Sequence, residues 1–338
     1  MQDFLNSFNK LEFFKVKQRI VRYALSEFGR EKILNLQPTN SLSEIQYNLD
    51  LTTEMKTLLE SDDPLPMDGL TDIRSQLSRA GILDSIITGD EIYSIGVSLQ
   101  IARKVSSFIS KRKNIYLLLN DIVKTIYIDK ILEFNIDRAV DENGNIKDTA
   151  TAELRKIRRE IGEKTDQLRK KLENILKSVS SQGWAQEEII TARDGRMVIP
   201  IKVENKNRLP GFIHSSSSSG ATVFIEPTET LELNNDLRTL QFQETKEIER
   251  ILRDLTTQVR TVKDQLSNNI HILSTLDFFH AKGTYSIEIL GSAPKISEKG
   301  FSILVDARHP LLLMRHKREE VFPLTMEIGK GYSTLIIT

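Results

Sequence analysis

Between Ile189 and His214 the basic side chains Arg193, Arg196, Lys202, Lys206 and Arg208 stand against two acidic ones, Asp194 and Glu204, a local balance of +3. Lysine and arginine neutralise phosphates without reading base sequence, so this segment could hold a nucleic-acid backbone, with His214 at its end. Solvated strand faces and loop tips carry the same residue types, and charge alone leaves both readings open. Five consecutive serines, Ser215 to Ser219, follow directly. Other constellations offer less. Asp277 and His280 lie one helical turn apart without a third ligand in view, which favours packing over a metal pair. Asp141-Glu142-Asn143-Gly144-Asn145 opens like a calcium loop, but Ala152 stands at the twelfth position, where glutamate is needed. An Asn-Gly turn accounts for it better. Lys111-Arg112-Lys113, with Arg103 and Lys104 before it, reads as a solvated helix end or a second basic patch.

The basic segment has the grammar of antiparallel strands. Ile189 to Arg193 and Arg196 to Val203 are joined by Asp194-Gly195, a pair suited to the positive φ angles of a tight hairpin. Ala221 to Ile225 forms a last strand. Pro200 lacks an N–H, so its strand is expected at an edge or at a bulge. On either side run apolar residues at threes and fours: Leu154, Ile157, Ile161, Leu168, Leu172, Ile175 and Val179 before, and Leu233, Leu237, Leu240, Ile248, Ile251, Leu255, Val259 and onward after. Such narrow stripes predict two long helices packed antiparallel, with the strands at their tip. At about 1.5 Å per residue the longer one reaches roughly 75 Å. Thr151 to Gln182 carries nine basic residues against five acidic (+4), and Glu226 to Asp254 four against eight (−4), which suits that pairing.

The 338 residues allow two or three domains. With 47 basic and 47 acidic side chains the formal charge is zero, so any affinity for nucleic acid must be local. Cysteine is absent and only five histidines are present, which excludes disulfides and thiol nucleophiles and argues against zinc. The first thirty residues or so are too charged for a signal peptide and no apolar run suits a membrane span, a pattern read as cytoplasmic. Helices are predicted over Leu11–Phe28, Ser43–Glu60, Leu70–Gly81, Gly89–Ser110 and Ile115–Thr125, with Ser43 and Asp90 as N-caps. Near the other end, Ser333-Thr334-Leu335-Ile336-Ile337-Thr338 reads as a buried strand of the kind that runs into a phosphate loop, yet no G-x-x-x-x-G-K-[ST] occurs. The sequence is therefore expected to stop just short of such a loop.

An ordered series of motifs resembles the MutS family, in its recombination-associated endonuclease branch, which lacks the mismatch-reading domain. The series runs Arg193-Asp194-Gly195-Arg196 with Val198-Ile199-Pro200, Pro210-Gly211 with His214, Ser219-Gly220-Ala221-Thr222 with Phe224-Ile225-Glu226-Pro227, Glu232-Leu233-Asn234-Asn235, Leu276-Asp277-Phe278 with Ala281-Lys282, and Arg308-His309-Pro310-Leu311-Leu312. The resemblance implies a mainly α fold. A helical core (1–148), an ascending lever (149–188), a small antiparallel β clamp (189–227), a descending lever (228–282) and the first strands of an α/β ATPase domain (283–338) would follow in order. It implies a homodimer that binds branched DNA, such as recombination junctions, with ATP and Mg as cofactors of the whole protein and none in these residues. Nuclease activity would belong to a C-terminal Smr domain. Val321 and Phe322 would flank the adenine. Some family members split collided ribosomes, so rRNA is an alternative target, and a structural coiled-coil hinge protein is a third reading. Phe224-Ile225-Glu226 matches a mismatch reader's Phe-x-Glu but falls at the end of a clamp strand, where a structural role is expected. The serine run departs from the family, which places an acidic residue after the histidine.

Overall fold

The computed structural model describes residues 8, 10–61, 64–298, 300–329, 331 and 334. The strand expected at 333–338 falls outside them apart from Thr334. The described chain is mainly helical with a small antiparallel sheet between two long helices, as the sequence predicts, and it carries a second, two-stranded antiparallel sheet that the sequence reading did not specify. In order the helices are α1 (Phe13–Val21), α2 (Glu27–Leu34), α3 (Leu42–Glu60), α4 (Arg74–Ala80), α5 (Gly89–Ser110), α6 (Leu117–Val123), α7 (Lys130–Ala139), α8 (Ala152–Ser181), α9 (Leu231–Thr261), α10 (Lys263–Glu288) and the short α11 (Pro310–Leu313). The chain forms two compact units, one of Met1–Leu83, Ser94–Glu133 and Val259–Thr338, the other of Asp84–Tyr93 and Phe134–Gln258.

In the first unit α10 is the central element, packing against α1, α2, α3, α4 and α6. Leu266, Ile270, Leu273, Leu276, Phe279 and Ala281 are buried on more than one side of it, the pattern of a helix enclosed by others. The single helix expected over Leu11–Phe28 is broken into α1 and α2, because Ser26 caps α2 by accepting the Gly29 N–H at 3.1 Å. Asp277 of α10 fixes the break: its carboxylate accepts the Leu25 and Ser26 N–H groups, both at 2.8 Å, and the Ser26 hydroxyl at 2.5 Å. The Nδ1 of His280 lies 3.2 Å from the Tyr23 carbonyl oxygen, and burial pushes the imidazole pKa down against the pull of Asp277 and of that carbonyl, which favours the neutral ring. Asp277 and His280 therefore secure packing. Two caps also move. Ser41, not Ser43, caps α3, and Asp90 lies inside the first turn of α5, where Glu91 takes the Thr88 N–H instead. Helix α7 was not anticipated.

Lys282 is the costly residue of α10. Its ammonium sits 5.1 Å from the Phe278 ring centroid and 5.2 Å from that of Phe279, and burial lowers its pKa to about 8. From that value up to the ordinary 10.5 the unfolded chain holds the extra proton, so this residue makes stability rise with pH across that window. Lys282→Met is expected to stabilise the protein at neutral pH by about 2 kcal/mol and to flatten the rise, as read by urea unfolding at pH 7 and pH 10.

In the second unit, α8 and α9 run antiparallel. Thr151 meets Glu247, Arg158 meets Glu244 and Lys164 meets Asp236, so partner numbers fall as their own rise. Two of the basic residues counted on the first helix, Arg158 and Lys164, thus pair with acidic residues of the second, while others of both helices pair within their own helix. Leu154, Ile157, Leu168, Leu172, Leu176 and Val179 of α8, with Leu237, Leu240, Ile251 and Leu255 of α9, are buried. The expected descending helix is interrupted at Val262, one residue between α9 and α10. Val140 bridges Ile146 around the Asp141–Asn145 turn, whose Asp141 carboxylate caps the Asn143 and Asn145 N–H groups.

Strands β1 (Thr191–Arg193), β2 (Arg196–Lys202), β3 (Gly211–Ser216) and β4 (Thr222–Pro227) form an antiparallel sheet in the order β1-β2-β4-β3. Ile199, Ile201, Val223 and Ile225 fill one face and pack on Leu168, Leu172, Leu176 and Val179 of α8 and Leu237 of α9. Each side chain buried in this way contributes about 1.5–3 kcal/mol. The strand bearing Pro200 is internal, contrary to expectation. Pro200 is tolerated because its missing N–H falls on the side away from β4, where only the short segment at Trp184–Gln186 runs, and its carbonyl on that side accepts the Gln186 N–H at 3.0 Å. The second sheet, β5 (Ser302–Ala307) with β6 (Leu324–Ile328), lies in the first unit.

Candidate nucleic-acid interface

Asp194 and Gly195 take φ values of 50° and 76°, the double positive turn read from the sequence, and place Arg193 opposite Arg196 across the β1–β2 hairpin. The Arg193 guanidinium lies 4.0 Å from the Phe224 ring centroid and donates to the Ala192 carbonyl at 2.9 Å. Arg196 reaches across the sheet to Glu226 of β4, Nη1 to Oε1 at 2.6 Å, while its Nη2 donates to Asn235 of α9 at 2.6 Å. The other oxygen of Glu226 is 2.6 Å from His214 Nε2. His214 gets there as the extra residue of a β-bulge, since Ile213 pairs with Ile225 and Ser215 already with Phe224. Glu226 itself is 1% exposed.

Six residue steps along extended β2, about 20 Å at 3.3 Å per step, separate Arg196 from Lys202. Lys202, Lys206 and Arg208 occupy that opposite end. Val203 bonds there to Ala221, beside the Ser217–Gly220 turn, and the Lys202 N–H donates to the Trp184 carbonyl at 3.0 Å. The Arg208 guanidinium stands 5.4 Å from the Trp184 ring centroid. None of these three cations has a carboxylate within 4 Å among the described residues, and Lys206 and Arg208 are exposed. The six residues singled out from sequence therefore divide. Lys202, Lys206 and Arg208 form an outward basic group; Arg196 and His214 spend their hydrogen bonds on Glu226, which weakens them as phosphate ligands; Arg193 is stacked and half-buried. Trp184 was missed, although the chain's one tryptophan beside a basic loop is a signal that sequence reading can use.

No family model matches the chain. Relatives described as endonuclease MutS2 do: that of Bacillus velezensis is 36% identical over 98% of this chain and 42% of its own length. A Geobacillus protein of the same description is 34% identical over 97% of this chain and 42% of its own length, and a Bacillus subtilis protein described as a putative endonuclease MutS2 gives the same figures. The chain belongs to the MutS2-type family. It spans about two fifths of the length of these MutS2 relatives.

Within this MutS2-type chain the Phe-x-Glu match has the structural role expected of it, because Glu226 is enclosed by Arg196 and His214 and Phe224 lies under Arg193. At the corner after β5, Arg308 donates to the Val321 carbonyl at 3.2 Å, and His309 Nδ1 accepts the Leu311 N–H at 3.3 Å to cap α11. Val321 is buried, whereas Phe322 is 92% exposed. Among the described residues, no helix is long and apolar enough to cross a membrane.

Proposed function

We propose that the strand module 189–227 is a nucleic-acid clamp of a homodimeric MutS-type ATPase, gripping branched DNA through phosphate contacts from Lys202, Lys206 and Arg208. The observation that carries this reading is the group of three cations at one end of the sheet, unpaired with any carboxylate among the described residues. Helices α8 and α9 act as its levers. Phosphate contacts read no base sequence, so binding follows the shape of the substrate rather than a mismatch. The exposed ring of Phe322 suits stacking on adenine. The whole protein would draw on ATP and Mg, but no phosphate-loop motif lies in these 338 residues to hold the triphosphate.

Binding of a four-way junction at rising salt tests the proposal. Replacing Lys202, Lys206 and Arg208 together by glutamate is expected to weaken binding at least about tenfold and to lower the log–log salt slope by up to about 3. Unchanged binding by the triple variant would overturn it. Preferential co-sedimentation with collided ribosomes in competition with junction DNA would move the target from DNA to rRNA.

A further inference from the structure

Lys15, Arg19 and Arg22 follow each other by fours and threes, which sets them on one face of α1 and its C-terminal end. Opposite them in the same unit stand α11 and the residues just after it, and an open-sided pocket of about 480 Å³ lies between. Its charge can be counted. Lys15 pairs with Glu12, and Arg19 with Glu288, which also accepts the Tyr23 hydroxyl at 2.5 Å. Arg22 and Arg315 are exposed, and neither has a carboxylate within 4 Å among the described residues. Four cations less two carboxylates leave the pocket at +2. The Glu12 carboxyl is held below its usual range, first by Lys15, with Arg315 and His309 adding to the effect across the space. The rest of the lining is apolar: Leu312 and Met314 are 46% and 39% exposed among the described residues.

We propose that this pocket binds a small phosphate monoester with an apolar or aromatic body, the dianion between Arg22 and Arg315 and the body against Leu312 and Met314. A −2 charge matches the pocket's +2, and two guanidiniums present planar donor pairs suited to phosphate oxygens. The apolar wall accounts for preferring an ester over inorganic phosphate, since burying its body removes exposed Leu312 and Met314 surface from water. Val321 and Phe322 do not line this pocket, and neither does any residue of the strand module. A free nucleoside monophosphate and the 5′-phosphorylated end of a strand present the same chemistry.

Isothermal titration calorimetry on the 338-residue chain tests the proposal, with phenyl phosphate as the primary probe. Phenyl phosphate is expected to bind saturably and more tightly than inorganic phosphate, and phenol not at all. Arg315→Glu should weaken it about tenfold or more, and Arg22→Gln by a smaller factor. Leu312→Ser should narrow the gap between phenyl phosphate and inorganic phosphate, an effect that general charge attraction does not produce. Circular dichroism confirms that each variant is folded. Binding of AMP identifies a free nucleotide as the source; binding of a 5′-phosphorylated oligonucleotide, but neither AMP nor its 5′-hydroxyl counterpart, identifies a strand end. Absence of saturable phenyl phosphate binding, or equal affinity in folded Arg22→Gln and Arg315→Glu variants, would overturn the proposal.

Discussion

Glu226→Ala is expected to destabilise the strand module by about 3–5 kcal/mol, because it removes one side of a buried ionic contact and leaves Arg196 held against the sheet without its carboxylate. Glu226 is 1% exposed and both of its oxygens are occupied, by Arg196 at 2.6 Å and by His214 at 2.6 Å. The alanine variant retains the desolvation of the guanidinium and loses the attraction that offset it. Asn235 still accepts from Arg196, but a neutral amide oxygen replaces little of a carboxylate. Replacing Arg196 and Glu226 together by methionine should recover most of the loss, since two apolar side chains of similar length avoid the unpaired charge. Trp184, the one tryptophan of the chain, packs against the core of this module and reports its unfolding by fluorescence in urea. A loss below about 1 kcal/mol in the alanine variant would mean that water reaches Arg196 readily and that the contact is not what closes the outer face of the sheet.

The parts of this arrangement that the sequence made legible are those dictated within a few residues. Asp194-Gly195 announces its turn because few residue pairs accept two consecutive positive φ angles, and the apolar spacing through Leu168, Leu172 and Val179 announces a buried helix face, although Leu176 rather than the expected Ile175 is the core residue between them. The Glu226 contact was not legible, since it depends on a bulge that brings His214 over a strand twelve residues later and no turn residue signals that bulge. For the same reason the +3 of the segment was read as one patch. Charge counting along the chain does not register that seven-residue β2 sends Arg196 and Lys202 to opposite ends of a sheet. Pro200 misled because the usual rule assumes neighbouring strands of full length on both sides, whereas β1 pairs no further along β2 than Val198. The break between α1 and α2 did have a local signal, Ser26 followed by Glu27, but the apolar spacing continues past it. What enforces the break is a carboxylate some 250 residues away, whose contact with Ser26 is fixed by the tertiary fold.

That carboxylate is the site of the other large effect. Asp277→Ala is expected to cost about 3–5 kcal/mol, because it strands the Leu25 and Ser26 N–H groups and the Ser26 hydroxyl in a buried place at the start of α2, where the helix dipole also favours a negative charge. Asp277→Asn should cost less, as its amide oxygen still accepts while its NH₂ faces donors. Gly29→Ala attacks the same contact from the other side. A Cβ on Gly29 would lie 2.0 Å from Asp277 Oδ2 and 2.5 Å from Cγ, so the carboxylate must leave its three donors or α2 must move. With Asp277 cut back to alanine, the nearest of those atoms is Cβ at 3.0 Å, and most of the clash is gone. Gly29→Ala should therefore cost about 2 kcal/mol or more in the natural chain but be nearly neutral in the Asp277→Ala background, where the higher helix propensity of alanine, up to about 1 kcal/mol, partly offsets the remaining crowding. Thermal unfolding of the four members of this cycle, followed by helical circular dichroism, measures the coupling directly. If the costs of the two substitutions simply added, Asp277 would not be what excludes a side chain at position 29.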